Sequence, residues 1–186
     1  MEGPHRNLLP DKDAQRSYSI NNYGQELQTN KWRVRKAYDE VGVNDDARIL
    51  LLACAFQETQ HMSADERDAG KDDSKNGASN WSLWNLNEDM LSELGFDGGA
   101  RGENFPSLNY HENLPEVVRL MLRGVQRWGA FRYLCFVRGG RTGFNDGVSY
   151  GIPEFVDGIS TIMRVISEDR DLLWDGRRVD MSTAHV

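Results

Sequence analysis

Cysteine is nearly missing from this chain: among its 186 residues only Cys54 and Cys135 carry thiols. A small domain stapled by several disulfides is thereby excluded. Both cysteines fall in apolar segments, so two buried free thiols are expected, with a single bridge between two helices as the alternative. No stretch approaches the ~18 to 20 apolar residues of a membrane span, so no membrane partner is expected. A long basic run is also missing. Lys and Arg number 22 against 29 Asp and Glu, a formal net charge of −7. That balance disfavours nucleic acid or an anionic lipid surface as the main partner and leaves neutral or cationic ligands. The four histidines (His5, His61, His111, His185) are scattered without HExxH or comparable ligand spacing, so neither a metal site nor another cofactor is expected. No Gly-x-Ser-x-Gly elbow occurs, and thiols inside apolar helices make poor nucleophiles. The opening MEGPHRNLLPDKDAQRS lacks the ~7 to 15 residue apolar core of a secretory signal.

What is present is the composition of a folded domain, with 39% hydrophobic and 10% aromatic residues. A chain of this size buries roughly two thirds of its unfolded surface, enough for one core without staples. Residues 1–17 and 177–186 read as polar tails around a single domain over 18–176. Helical periodicity dominates that domain. Asn30 is placed to cap a helix with Val34, Ala37, Tyr38 and Val41 inward and Gly42 at its end. Asn44, Asp45 and Asp46 open the next, which runs apolar on every side from Ile49 to Phe56 and so belongs in the middle of the fold. Asn87 caps a short helix stopped by Gly95. Asn113 and Glu116 form a capping box before a stripe from Leu114 to Trp128. Ala130 to Val137 reads as another buried helix, and Pro153 introduces the last long one. Trp32, Trp128 and Trp174, at helical spacing, are expected in the core.

Two regions do not read as helix. Residues 59–86 are polar before they become NWSLWNLN, and a connection this long predicts a short β-hairpin near Asp68–Asn76 and Trp81–Leu86. RGGRTGFNDGVSYG, residues 138–151, matches neither a P-loop nor a dinucleotide fingerprint and reads as a flexible or groove-lining loop. The class is α+β, helix-dominated.

The chemistry concentrates at the end of the buried helix, in FQETQH. Glu58 follows eight apolar residues and faces the negative end of the helix dipole. Partial desolvation and that dipole both disfavour the anion, as a general acid requires. Asp65, Glu66, Asp68, Asp72 and Asp73 follow closely, and a carboxylate on the hairpin would face Glu58 across a cleft. Two such carboxylates hydrolyse glycosides: at ~6.5 to 9.5 Å a water fits between them and the outcome is inversion, whereas ~5 to 5.5 Å implies retention. Trp81, Trp84 and Tyr110 offer flat faces for pyranose rings. Gln57, Asn76, Asn80, Asn85, Asn87 and Asn145 offer the paired donors and acceptors that hydroxyl groups demand, and Thr59 adds a hydroxyl beside Glu58.

A buried helix ending in glutamate, then a polar hairpin, then more helices, resembles the lysozyme superfamily. Within it, ETQ…RDAGKDDS…NWSLWNLN resembles the family 134 glycoside hydrolases, small endo-β-1,4-mannanases on a lysozyme-like fold. The resemblance implies a lysozyme-like helical body with a small β-hairpin wing and an inverting reaction, with Glu58 as general acid and Asp68 as general base. It also implies that Lys71, Asp72, Asn80 and the 138–150 loop, with Arg141, Phe144 and Asn145, lie along the sugar groove. The expected partner is a mannan-type polysaccharide, met by a monomer that is extracellular or released, as those enzymes are; the absent leader is a departure from their pattern. Chitosan, a cationic polymer suited to the −7 charge, is the alternative substrate. A non-catalytic polysaccharide-binding protein is the alternative class.

Overall fold

Gly42 takes the left-handed conformation that suits glycine (φ 75°) and ends helix α1 (Gly24–Val41). Beyond it, Asn44 Oδ1 accepts from the Ala47 N–H at 2.9 Å and opens α2 (Asp45–Glu58). The computed structural model describes residues 17–63, 80–148 and 151–181. It continues with α3 (Glu88–Glu93), α4 (Leu114–Trp128), α5 (Ala130–Asp146) and α6 (Ile152–Glu168). Strand β1 (Tyr18–Asn22) pairs antiparallel with β4 (Arg177–Met181), and β2 (Asn80–Trp81) pairs antiparallel with β3 (Leu86–Asn87). The fold is therefore helix-dominated with a small hairpin, as expected. Among the described residues no helix is long and apolar enough to cross a membrane.

Every residue of α2 from Ile49 to Phe56 is buried. Its main neighbour is α6, which turns Phe155, Ile159, Ile162 and Ile166 inward. Each fully buried aliphatic or aromatic side chain here contributes about 1.5 to 3 kcal/mol of transfer free energy. The central helix is thus rigid up to its last turn, where polar residues begin.

Two devices hold α2, one at its middle and one at its end. The β2–β3 hairpin sends Trp84 into the core, fully buried, with its indole N–H donating to Leu51 O at 2.8 Å. From the other side, Arg178 of β4 donates to Phe56 O and Thr59 O, the carbonyls at the end of α2. Lys31 of α1 lies alongside, donating to Leu172 O at 2.6 Å, Asp175 O at 2.8 Å and Arg177 O, with its Nζ 5.0 Å from the Phe56 ring centre. Gly176 allows the crossing: a Cβ there would stand 2.5 Å from Gly24 O.

Several expectations need correction. Residues 177–181 form strand β4 rather than part of a polar tail, because Arg178 and Val179 are buried against the body. Asn30 is no cap. It sits inside α1, buried, and donates to His61 O at 2.8 Å, so a tertiary partner has replaced the local one. Asn113 precedes α4, but its amide donates to Ser107 O at 2.8 Å instead of closing a capping box. Residues 138–146 are helical: α5 bends at Gly140 (φ 57°, ψ −149°) and continues to Asp146, ended by left-handed Gly147. Of the three tryptophans expected in the core, Trp128 and Trp174 are half-buried against it and Trp32 is exposed. Trp84, offered above as a sugar platform, belongs to the core. Cys54 and Cys135 are buried and free, and burial pushes both thiols above their ordinary range.

Candidate functional site

Glu58 ends α2 at the edge of the core, half-buried, and opens onto a cleft of about 240 Å³. Gln57 and Glu58 from α2, Arg138 from α5, and Gly151, Glu154 and Phe155 at the start of α6 line it. The rigid helix thus delivers one carboxylate, and the first turn of α6 delivers a second into the same opening.

Asn85 orients the first. It stands in the β2–β3 turn with φ 57°, a left-handed conformation that asparagine tolerates better than most residues, and its amide donates to Glu58 Oε2 at 2.9 Å. The turn is anchored on both flanks. Trp84 is locked into the core next door, and Ser82, also left-handed at φ 63°, has its N–H held by Asn109 Oδ1 at 2.7 Å. A side chain carried by such an anchored turn fixes the plane of a carboxyl group without adding charge.

Arg138 and Glu154 both flank Gly151: a Cβ built there would stand in ordinary contact, 3.7 Å from Glu154 Oε2 and 3.9 Å from Arg138 Nη2, and what suits glycine at this position is its left-handed φ of 69°. The Arg138 guanidinium also lies 5.8 Å from the Phe155 ring centre. Carboxylate, guanidinium and amide groups therefore converge on one opening, with acceptors and donors for hydroxyl groups and a carboxylate placed for proton transfer.

Of the residues singled out from the sequence, Gln57 and Glu58 line the cleft and Asn85 touches Glu58. Others are engaged elsewhere and are not among the described lining residues. Thr59 is buried, its hydroxyl donating to Ala55 O at 3.3 Å. Asn87 caps α3, accepting from Asp89 N–H at 2.9 Å. Trp81 stacks on Phe105 at 6.2 Å and donates to Glu88 Oε1 at 2.8 Å. Arg141 pairs with Glu93 at 2.7 Å, and Phe144 is wedged against Trp128 and Phe136. Tyr110 and Asn145 are exposed. Asn80 pairs with Asn87 through the β2–β3 ladder. Asp68, Lys71 and Asp72, and the 68–76 part of the expected hairpin with Asn76, lie outside the described residues.

Glu154 escaped the sequence reading. Its only signal was an acidic residue in the first turn after Pro153, which reads equally well as a helix start. Arg138 enters the sequence pattern only as the first residue of the 138–151 segment. No protein-family model matches the chain, and no curated protein matches it significantly.

Proposed function

We propose that this protein is an endo-acting glycoside hydrolase that cleaves a neutral β-1,4-linked polysaccharide, mannan foremost. Glu58 is the general acid, and Asp68, from the segment after α2, is the general base. The observation that carries this reading is the placement of Glu58: the last residue of a buried helix, held by Asn85 and facing an open cleft. In the proposed reaction Glu58 protonates the leaving glycosidic oxygen while Asp68 takes a proton from water on the opposite face of the ring. The product anomer is inverted, and both carboxyl groups return by proton exchange. Arg138, Glu154 and Gln57 hydrogen-bond the sugar hydroxyls. The protein acts as a monomer, outside the cell that makes it.

A second reading draws on Glu154. Two carboxylates around one cleft, in a chain of net charge −7, suit a cationic amino-sugar polymer such as chitosan. One experiment separates the readings: release of reducing ends from mannan, chitosan and peptidoglycan by the intact protein, followed by NMR of the first-formed anomer. Mannan products of inverted configuration support the first reading. Activity on chitosan alone moves the proposal to the second, and no new reducing ends from any of the three sinks both.

A further inference from the structure

We infer that the protein carries a second binding surface for neutral polysaccharide, built on α1 and Trp174 and sharing no residue with the Glu58 cleft. The groove there measures about 380 Å³ and is lined by Gln25, Gln28, Thr29, Trp32 and Trp174. The α1 members recur at intervals of three and four, so they form one stripe on the face opposite Leu27, Val34 and Ala37, which are buried. From Gln25 to Trp32 the stripe runs roughly 10 Å at about 1.5 Å per residue, about the length of a disaccharide.

Three features of this groove point to an uncharged sugar chain. First, both indoles are held in place by cations. Lys36 Nζ lies 3.9 Å from the Trp32 ring centre and the Arg35 guanidinium 4.4 Å from that of Trp174. Trp32 is nevertheless 54% exposed, so a large, oriented aromatic surface is left to solvent. Second, the polar lining is two amides and one hydroxyl, the groups that match hydroxyls as donor and acceptor at once. The Thr29 hydroxyl is fixed by donating to Gln25 O at 2.8 Å, whereas the Gln25 and Gln28 side-chain amides have no hydrogen-bond partner among the described residues. Third, no carboxylate is among the described residues that line the groove, and Lys36 and Arg35 stand over the rings, which repels a cationic polymer. A surface of oriented indoles with unengaged amides binds a neutral glycan strand by stacking and hydroxyl exchange, and would keep an enzyme on its polymer between cuts. The identity of the polymer rests on the reading proposed above; the existence of the surface does not.

The test uses the full chain carrying Glu58→Gln, so that polymer is bound and not consumed. Native affinity electrophoresis in soluble mannan, xylan and hydroxyethyl cellulose reports binding. Adding Trp32→Ala is expected to weaken retention in the bound neutral polymer roughly tenfold, as truncating an aromatic anchor does. Gln28→Ala, which alters no packed side chain, is expected to weaken it by a smaller factor. In the otherwise unaltered chain, Trp32→Ala is expected to leave the rate on short mannooligosaccharides unchanged while slowing attack on insoluble mannan. Unchanged retention in both variants overturns the inference, as does retention in chitosan but in none of the neutral polymers. Loss of self-association in Trp32→Ala, read by sedimentation, with unchanged retention also overturns it, making the groove a contact between copies. Trp32-dependent retention in a chain that releases no reducing ends would sink the hydrolase reading and leave this surface standing.

Discussion

The C-terminal end of α2 is flanked by charge on two sides, and the two sides are built differently. Behind it, Lys31 and Arg178 are almost wholly buried: the carbonyls of Leu172, Asp175 and Arg177 accept from the lysine and those of Phe56 and Thr59 from the arginine, whose Nε also pairs with Asp180 at 2.6 Å. In front, Glu58 is half-buried, oriented by the neutral amide of Asn85, and faces an open cleft of about 240 Å³. Arg178 meets the negative end of α2 and stitches the C-terminal strand to it, while Lys31 ties α1 to the segment before and at the start of that strand. The carboxylate opens to solvent, as the acid proposed above requires. A charged group locked among buried carbonyls is architecture, whereas one held by a turn amide at the rim of an open cleft stays accessible from solvent.

The sharpest way to break this contrast is to alter each side alone. Glu58→Gln keeps shape and the Asn85 neighbourhood but removes the transferable proton. Reducing-end release should fall by about 10²- to 10⁴-fold, with the thermal midpoint within a few degrees of the parent. A variant that keeps more than a small fraction of its rate removes Glu58 from the reaction. Arg178→Met should do the reverse first. It leaves Phe56 O and Thr59 O without their donor, and urea unfolding should show a loss of about 2 to 4 kcal/mol. A stable Arg178→Met chain with an altered rate would show that the back of the helix is not mainly structural. Asn85→Gly comes next: glycine keeps the left-handed turn but the carboxyl plane is no longer held, and turnover should fall about tenfold with stability nearly unchanged. Equal losses of rate and stability there would make Asn85 a turn residue and nothing more.

How much of this was legible follows the range of the interactions. Gly42, Asn44 and Asn87 act within a turn of their own positions, and their local chemistry was enough to place them. Glu58 was legible because eight apolar residues before it leave little doubt where the helix leaves the core. Asn30, Asn113 and β4 were misread because their partners lie far along the chain. Asn30 meets His61, and Arg178 reaches back to Phe56. The amide of Asn85 reads from sequence as a sugar ligand, but its bond to Glu58 depends on a turn whose left-handed geometry no periodicity reveals. Trp32 could have been placed from sequence: it falls off the stripe of Leu27, Val34, Ala37 and Tyr38 and on that of Gln25, Gln28 and Thr29.

The smallest effect tests the buried side most finely. Burial lowers Lys31 to about 7 from its ordinary 10.5, against the opposing pull of Asp175 at 3.9 Å. Between those two values the unfolded chain binds more protons than the folded one, so this lysine makes stability rise with pH, by at most about 1.4 kcal/mol per pH unit. Below about 7 both states are protonated and the cost of burying the charge is felt in full. The buried thiols act the other way. Cys54 and Cys135 hold their protons in the folded state above their ordinary 9.0, so unfolding releases protons there and stability falls as pH climbs past that value. Tyr38 and Tyr133, raised well above 10.0 by burial, steepen the fall. Urea midpoints should therefore climb from pH 7 toward 8.5 and decline beyond about 9. Lys31→Met should be less stable throughout, since three carbonyls lose their donor, but flat over the climbing limb and unchanged in the decline. Parallel curves for the two chains would mean that the carbonyls and Asp175 keep Lys31 charged across the whole range, making it a fixed cation like Arg178.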